Sequence, residues 1–271
     1  NNLIGNFSEK FLKNASKLIH VHLDFNLISF LPNCMLKNMQ SLLGLQASGN
    51  KIRHIWNDSC IPESNVFKSL SLPNNMISNL SAFVLSRMSR LESLNLRNNL
   101  IQSLPNCIFN DTESLKILYL ENNRITKIWN YSCISAQNQL TQIYLSQNLI
   151  EYLAENFLLY FLKLTTLKLD NNKIASLPKY SGLYNTSMLS VLDLSNNQLV
   201  SINSLFFLNM TSLKHLYLQN CKIQSLPIYL CSPTNPLLKL EIIKLENNQI
   251  SSLSTPFIKY CPNLKQIYLQ S

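Results

Sequence analysis

Apolar residues recur along this chain in one template, Leu-x-x-Leu-x-Leu-x-x-Asn, at a nearly fixed interval of roughly 24 residues. Its clearest copies are Leu91-x-x-Leu94-x-Leu96-x-x-Asn99, Leu115-x-x-Leu118-x-Leu120-x-x-Asn123 and Leu164-x-x-Leu167-x-Leu169-x-x-Asn172. Eleven copies align, with Asn26, Asn50, Asn75, Asn99, Asn123, Asn148, Asn172, Asn197, Cys221 and Asn248 in one polar column; the eleventh ends at Leu269, before its Asn. Side chains alternate along a strand, so the leucines of Leu-x-Leu share one face and the residues between them take the other. No single copy can bury its apolar face, but a stack of copies shares a continuous core. The pattern therefore predicts an α/β repeat solenoid, a horseshoe with a parallel β-sheet on its concave face and short irregular or 3-10 segments on its convex face.

The polar column must lie inside such a stack. An unpaired buried amide costs roughly 1–3 kcal/mol, so each Asn is expected to bond backbone groups of its own and the neighbouring turn. Cys221 fills the column once, as a small, readily buried residue and weak donor. Apolar residues follow two and five places after the Asn, as in Ile28 and Leu31 or Ile101 and Leu104. Phe11, Phe109, Phe157, Phe206, Phe207 and Phe257 come later in the return limb and are expected to pack the convex side.

The unbroken repeat implies a single solenoid over residues 1–271. Asn2-Leu3-Ile4 matches Asn26-Leu27-Ile28, and Ser271 falls inside a copy, so the solenoid is expected to be truncated at both ends, without terminal caps.

The cysteines add a second regularity. Cys34 and Cys60 stand at the same spacing as Cys107 and Cys133, a little more than one copy of the repeat. Their contexts match at a common offset of three copies: Leu31-Pro32-Asn33-Cys34 against Leu104-Pro105-Asn106-Cys107, and Ile55-Trp56-Asn57 against Ile128-Trp129-Asn130. A block of three copies has therefore been duplicated. Adjacent turns of a solenoid approach closely enough for a disulfide. Two readings stand, two disulfides or four small buried thiols; the first is favoured, and with it an oxidising, extracellular compartment. Cys221 is expected to be free, and Cys231 with Cys261 could pair across neighbouring turns. Eight Asn-x-Ser/Thr sequons, at Asn6, Asn14, Asn57, Asn79, Asn110, Asn130, Asn185 and Asn209, all fall between the Asn column and the next strand. Glycans there would leave the concave face clear.

Candidate chemistry is sparse. Only 4 glycines are present, and the nearest approach to a phosphate loop, Gly44 to Lys51, uses the repeat's own core positions Leu45, Ala47 and Asn50. His20, His22 and Asp24 form at most half of a metal site, so no metal and no cofactor is expected. Asp193, Ser195 and His215 bring three hydrolase residue types together, but no oxyanion device accompanies them, and no enzyme is expected.

Function then falls to the outward strand positions. One column runs through Tyr119, Tyr144, Lys168, Tyr217 and Tyr268, and the next carries Arg97, Glu121 and Asp170. Tyr and Arg are enriched at binding hot spots, and Tyr also suits a strand surface. These eight residues are the candidate partner-binding set, with Tyr119 and Tyr144 placed near its centre. Pro73 in the second column is expected to remove a ladder donor and mark an irregularity. The net charge of +9 adds a lysine-rich column, Lys68, Lys116, Lys214 and Lys265. Because the concave centre also holds acidic residues, a solvated basic flank is favoured, and nucleic acid is the weaker partner reading.

The repeat form, with Ile101-Gln-Ser-Leu104-Pro105 where plant receptors carry Gly-x-Ile-Pro, resembles the extracellular "typical" leucine-rich-repeat class. That class includes Toll and Toll-like receptor ectodomains, variable lymphocyte receptors, matrix proteoglycans and hormone-receptor relatives with seven membrane helices. The resemblance implies a leucine-rich-repeat solenoid serving as a recognition ectodomain of a cell-surface or endosomal receptor, with a Toll-like innate immune sensor leading. Such a domain binds a protein or other macromolecule, attaches to the membrane only through further segments, and can be brought together in pairs by its ligand. The alternative is a secreted or anchored adhesion or matrix protein that does not signal.

Overall fold

The structure is a computed structural model that describes residues 2–8, 10–12, 14–57, 60–62, 65–128, 138–182, 188–227, 230–231, 237–253 and 260–270. Eleven strands of three residues each succeed one another: β1 His20–His22, β2 Gly44–Gln46, β3 Ser69–Ser71, β4 Ser93–Asn95, β5 Ile117–Tyr119, β6 Gln142–Tyr144, β7 Thr166–Lys168, β8 Val191–Asp193, β9 His215–Tyr217, β10 Ile242–Lys244 and β11 Gln266–Tyr268. Their order in the sheet is their order in the chain, and the pairing is parallel, with Leu45 beside Leu70 and Leu70 beside Leu94. A leucine-rich-repeat solenoid is the fold. Its strands start at the even spacing of the repeat except between β9 and β10, where the return limb is slightly longer.

By contacts the chain divides into two compact units, Asn1–Ile125 with Ser132–Leu140, and Thr126–Tyr131 with Thr141–Ser271. The first holds β1–β5 and the second β6–β11. In each unit the middle residue of nearly every strand is buried, from Val21 to Leu118 in the first and from Ile143 to Ile243 in the second. No helix among the described residues is long and apolar enough to cross a membrane.

The polar column is a hydrogen-bonded ladder inside each unit. Asn99 Nδ2 donates to the carbonyls of Leu96 (3.0 Å), Arg97 (3.2 Å) and, in the preceding turn, Leu72 (3.0 Å). Its Oδ1 accepts from the Ile77 N–H at 3.0 Å. Asn50, Asn75, Asn123, Asn172, Asn197 and Asn248 repeat this arrangement. At Cys221 the thiol reaches the Leu194 carbonyl at 3.5 Å and the Gln219 carbonyl at 3.8 Å, and burial pushes its pKa up.

Two expectations fail locally. Pro73 causes no irregularity, because the ladder donors there are its neighbours: Leu72 N–H to Asn95 O (2.8 Å) and Asn74 N–H to Arg97 O (3.1 Å). The N–H of Pro73's column is answered elsewhere by side chains, as Ser48 N–H by Asp24 Oδ1. Phe11 is 55% exposed and lies against Phe7, at 4.9 Å between ring centroids. Phe109, Phe157, Phe206 and Phe207 are buried, the last two in a 3-10 turn, Ser204–Phe207, in which the Leu205 N–H is capped by Asn203. Phe257 lies outside the described residues.

A disulfide joins Cys34 to Cys60, with Cα atoms 4.7 Å apart, and another joins Cys231 to Cys261 at 5.7 Å. Cys107 is also disulfide-bonded; Cys133 lies outside the described residues. Cys34 and Cys107 share a left-handed backbone, φ 53° and 61°, as expected of equivalent positions in a duplicated block. Trp56, which precedes Cys60 in the same turn, is buried, its Nε1 donating to Val84 O at 2.9 Å.

Candidate functional site

Each strand ends on an outward residue, so consecutive turns display a column of side chains about 4.8 Å apart. In the first unit Tyr119 ends β5 and is half-buried, as is Glu121, while Arg97 is exposed after β4. In the second unit Tyr144 ends β6 and its hydroxyl donates to Gln142 Oε1 at 3.0 Å. Lys168 ends β7, and Asp170 after it accepts from Ser146 Oγ (2.6 Å) and Asn171 Nδ2 (2.8 Å).

The end of the second unit brings together a cluster that the candidate set covers only in part. The Lys244 ammonium lies between two phenol rings, 5.5 Å from the Tyr217 centroid and 5.4 Å from that of Tyr268. Each contact is within the ~6 Å reach of a cation–π interaction. Tyr268 is also anchored, its hydroxyl donating to Gln266 Oε1 at 3.0 Å, and His215 lies beside Tyr217 with centroids 6.2 Å apart. The candidate set lacks Lys244; the signal that could have found it is its place between two tyrosines in one column, Tyr217, Lys244, Tyr268. In the preceding turn burial raises the Asp193 pKa, partly offset by bonds from Ser195. The cluster offers two large, half-buried aromatic faces held about one ammonium group, a surface fitted to recognition.

The other candidate chemistries resolve differently. Ser195 is 3% exposed and its hydroxyl donates to Asp193 Oδ1 at 2.7 Å, while His215 faces Tyr217. That hydroxyl is a structural donor within one turn. No group of three metal-binding side chains occurs among the described residues; His22 Nδ1 and Gln46 Oε1 are 3.1 Å apart. The Gly44 segment is a strand with Leu45, Ala47 and Asn50 buried. The lysine column is less uniformly basic than expected, because acidic residues intervene: Glu92 contacts Lys68 (3.0 Å) and Lys116 (2.7 Å), and Glu241 contacts Lys265 (2.8 Å). Hydrogen bonds from Lys116 and then Lys68 hold the Glu92 carboxyl below its usual range, as the Lys265 bond does for Glu241. Of the sequon asparagines, Asn6, Asn14, Asn57, Asn79 and Asn110 are exposed and Asn209 is half-buried; Asn130 and Asn185 lie outside the described residues.

The repeat, the parallel strands and the Asn ladder define a leucine-rich-repeat protein. The chain belongs to the leucine rich repeat family, whose model matches residues 67–125, 89–150 and 162–223, with a two-copy leucine-rich-repeat model matching 211–257. No curated protein matches it. Among solved structures it resembles the FLRT2 leucine-rich-repeat chain matched in an octameric complex with Latrophilin 3 and Unc5D, at 23% identity over 92% of this chain and 74% of that one, TM-score 0.73. It also resembles a chain of the Drosophila Toll–Spatzle complex, at 16% identity over 97% of this chain and 37% of that one, TM-score 0.76. The leucine-rich-repeat domain of APL1B matches at 20% identity over 98% of this chain and 73% of that one, TM-score 0.75. At these identities the likeness is one of fold.

Proposed function

We propose that this chain is a protein-recognition ectodomain of a cell-surface or endosomal receptor, Toll-like in build, that takes its partner on the outward strand face. The observation that carries this reading is the Tyr217–Lys244–Tyr268 cluster, where two aromatic faces and a cation stand together outside the core. The disulfides support an extracellular setting. Protein partners are named for similar folds, Spatzle with Toll and Unc5D with FLRT2. Binding rather than catalysis is the activity, since the cluster presents two aromatic faces and a cation, with the Tyr268 hydroxyl held by Gln266.

The test is a screen of the secreted chain against an array of extracellular proteins, run beside a Tyr217→Ala/Tyr268→Ala variant. Partners of the parent should bind the variant at least tenfold more weakly, with its melting temperature unchanged. Partners indifferent to the double substitution would place recognition elsewhere on the chain.

A further inference from the structure

A groove with a volume of about 1090 Å³ crosses four consecutive return limbs of the first unit, away from the strand face. Its floor is apolar, with Leu31 and Ile55 buried, and Phe7 and Phe30 form its walls. Phe30 remains 38% exposed there. The rim is of a different chemistry: Asn33, Asn57 and Asn79, all exposed, offer amides, and Lys10 adds one ammonium group. Apolar and aromatic faces beside a polar, amide-bearing rim suit a sugar, whose ring presents C–H groups on its faces and hydroxyls at its edge.

The walls are fixed before anything binds. Phe30 and His54 form a parallel bridge, and Leu31 N–H donates to His54 O at 3.0 Å. Asn33 Oδ1 accepts the Asn57 N–H at 2.8 Å, and the Cys34–Cys60 disulfide ties the same two turns just beyond. A groove already set in shape loses little entropy on filling. Two sequon asparagines line the groove, Asn57 of Asn57-Asp58-Ser59 and Asn79 of Asn79-Leu80-Ser81; Asn57 belongs to the turn next to that of Phe30, whereas Asn79 stands one turn further from the aromatic walls.

We infer that the groove is the seat of this chain's own N-linked glycan, attached at Asn57, with its first sugars packed against Phe30 and Phe7. Attachment replaces one Nδ2 hydrogen of Asn57 by the anomeric carbon of N-acetylglucosamine. The bond broken is the one from that carbon to a lipid-linked pyrophosphate, which leaves as the displaced group while the amide proton is taken up by base. The tether then holds the sugar over the groove at an effective concentration on the order of millimolar, so that weak stacking is enough to keep it there. Asn57 lies in the third of the four turns crossed, leaving the two turns with Phe30 and Phe7 open ahead of it.

A glycan seated in a groove is shielded from enzymes. The full chain, secreted from a glycosylating cell line, is compared at Asn57 and at the exposed sequon Asn14 by glycopeptide mass spectrometry and by native endoglycosidase digestion. Asn57 should be occupied, should retain unprocessed mannose-rich forms, and should release its glycan at least tenfold more slowly than Asn14. Phe30→Ser should bring the two rates within about twofold. An unoccupied Asn57, or one processed and released at the Asn14 rate, overturns the inference. Should Phe30→Ser fail to be secreted, the two-site comparison in the parent chain decides alone. None of these outcomes bears on recognition by the strand face.

Discussion

Each residue of the polar column is preceded by one in the left-handed backbone region, from Phe25 (φ 55°) and Gly49 (φ 65°) to Asn247 (φ 54°). Most of these positions are Asn, namely Asn74, Asn98, Asn122, Asn171, Asn196, Asn220 and Asn247, in keeping with the tolerance of Asn for this conformation. Some also pair outside the core, Asn98 Nδ2 with Asn74 Oδ1 at 2.7 Å and Asn122 Nδ2 with Asn98 Oδ1 at 2.9 Å. Phe25 is the misfit, 59% exposed and with its ring so close over Gly49 that a Cβ there would lie 2.6 Å from it. Phe25→Asn is therefore expected to stabilise the protein by about 1 kcal/mol. Gly49→Ala should cost more in the parent than in the Phe25→Asn background, a coupling that chemical denaturation of the four variants reads directly. Asp193 gives a residue-scale prediction of another kind. Its raised pKa means that ionisation opposes folding; the penalty is complete above the folded-state pKa and vanishes as pH falls below the unfolded value, about 3.9. Asp193→Asn should raise the melting temperature at pH 7 and leave it nearly unchanged at pH 3. Equal shifts at both would remove burial as the cause. Glu92 acts in the opposite sense: its depressed pKa means that the Lys116 and Lys68 contacts help above the unfolded value and fade as pH falls through the folded one. Being exposed and screened, that contribution is small.

A strand of three residues is too short to stand alone, and the turn that follows it supplies the missing constraint. In β4 only Leu94 points inward, flanked by half-buried Ser93 and Asn95. Asn99 then closes the bend by holding three carbonyls and one N–H at once. Asn99→Leu keeps the volume but leaves the buried Ile77 N–H and several carbonyls without partners. At roughly 1–3 kcal/mol for each unsatisfied group, the loss should come to about 3 kcal/mol or more. A melting temperature within a degree of the parent would show the ladder to be dispensable. Cys221 marks the lower limit of what the column accepts, since two long thiol contacts replace four amide bonds.

Repeat arrays are stabilised mainly between neighbouring turns, so damage stays local. The Cys34–Cys60 bridge closes a loop with a sequence separation of 26 within the first unit, and a loop of that length contributes about 3 kcal/mol. Replacing both cysteines by Ser should accelerate amide exchange in β1–β3 and leave β8–β11 at parental rates. Uniform acceleration along the chain would instead indicate one cooperative unit. The same locality makes the strand face modular, because a partner can be gripped by the three turns of Tyr217, Lys244 and Tyr268 without involving the rest.

Period and polarity determined by themselves the inward column, the parallel stack and the Asn ladder, because a repeat of fixed period buries its leucines in only one register. They also determined which residues face outward, by alternation alone. Tertiary structure decided what those outward residues do. Lysine and glutamate side chains have several torsions each, so adjacency in a column does not say that Lys244 settles between two rings or that Glu92 pairs with both Lys68 and Lys116. Pro73 shows the same limit for the backbone. Whether an N–H belongs to the ladder depends on what the packed turns place before it, and in that column the N–H groups of Ser48 and Arg97 are met by the side-chain oxygens of Asp24 and Asn95. Local pattern specifies burial because burial averages over many contacts; pairing and site geometry rest on single contacts, which only the packed turns define.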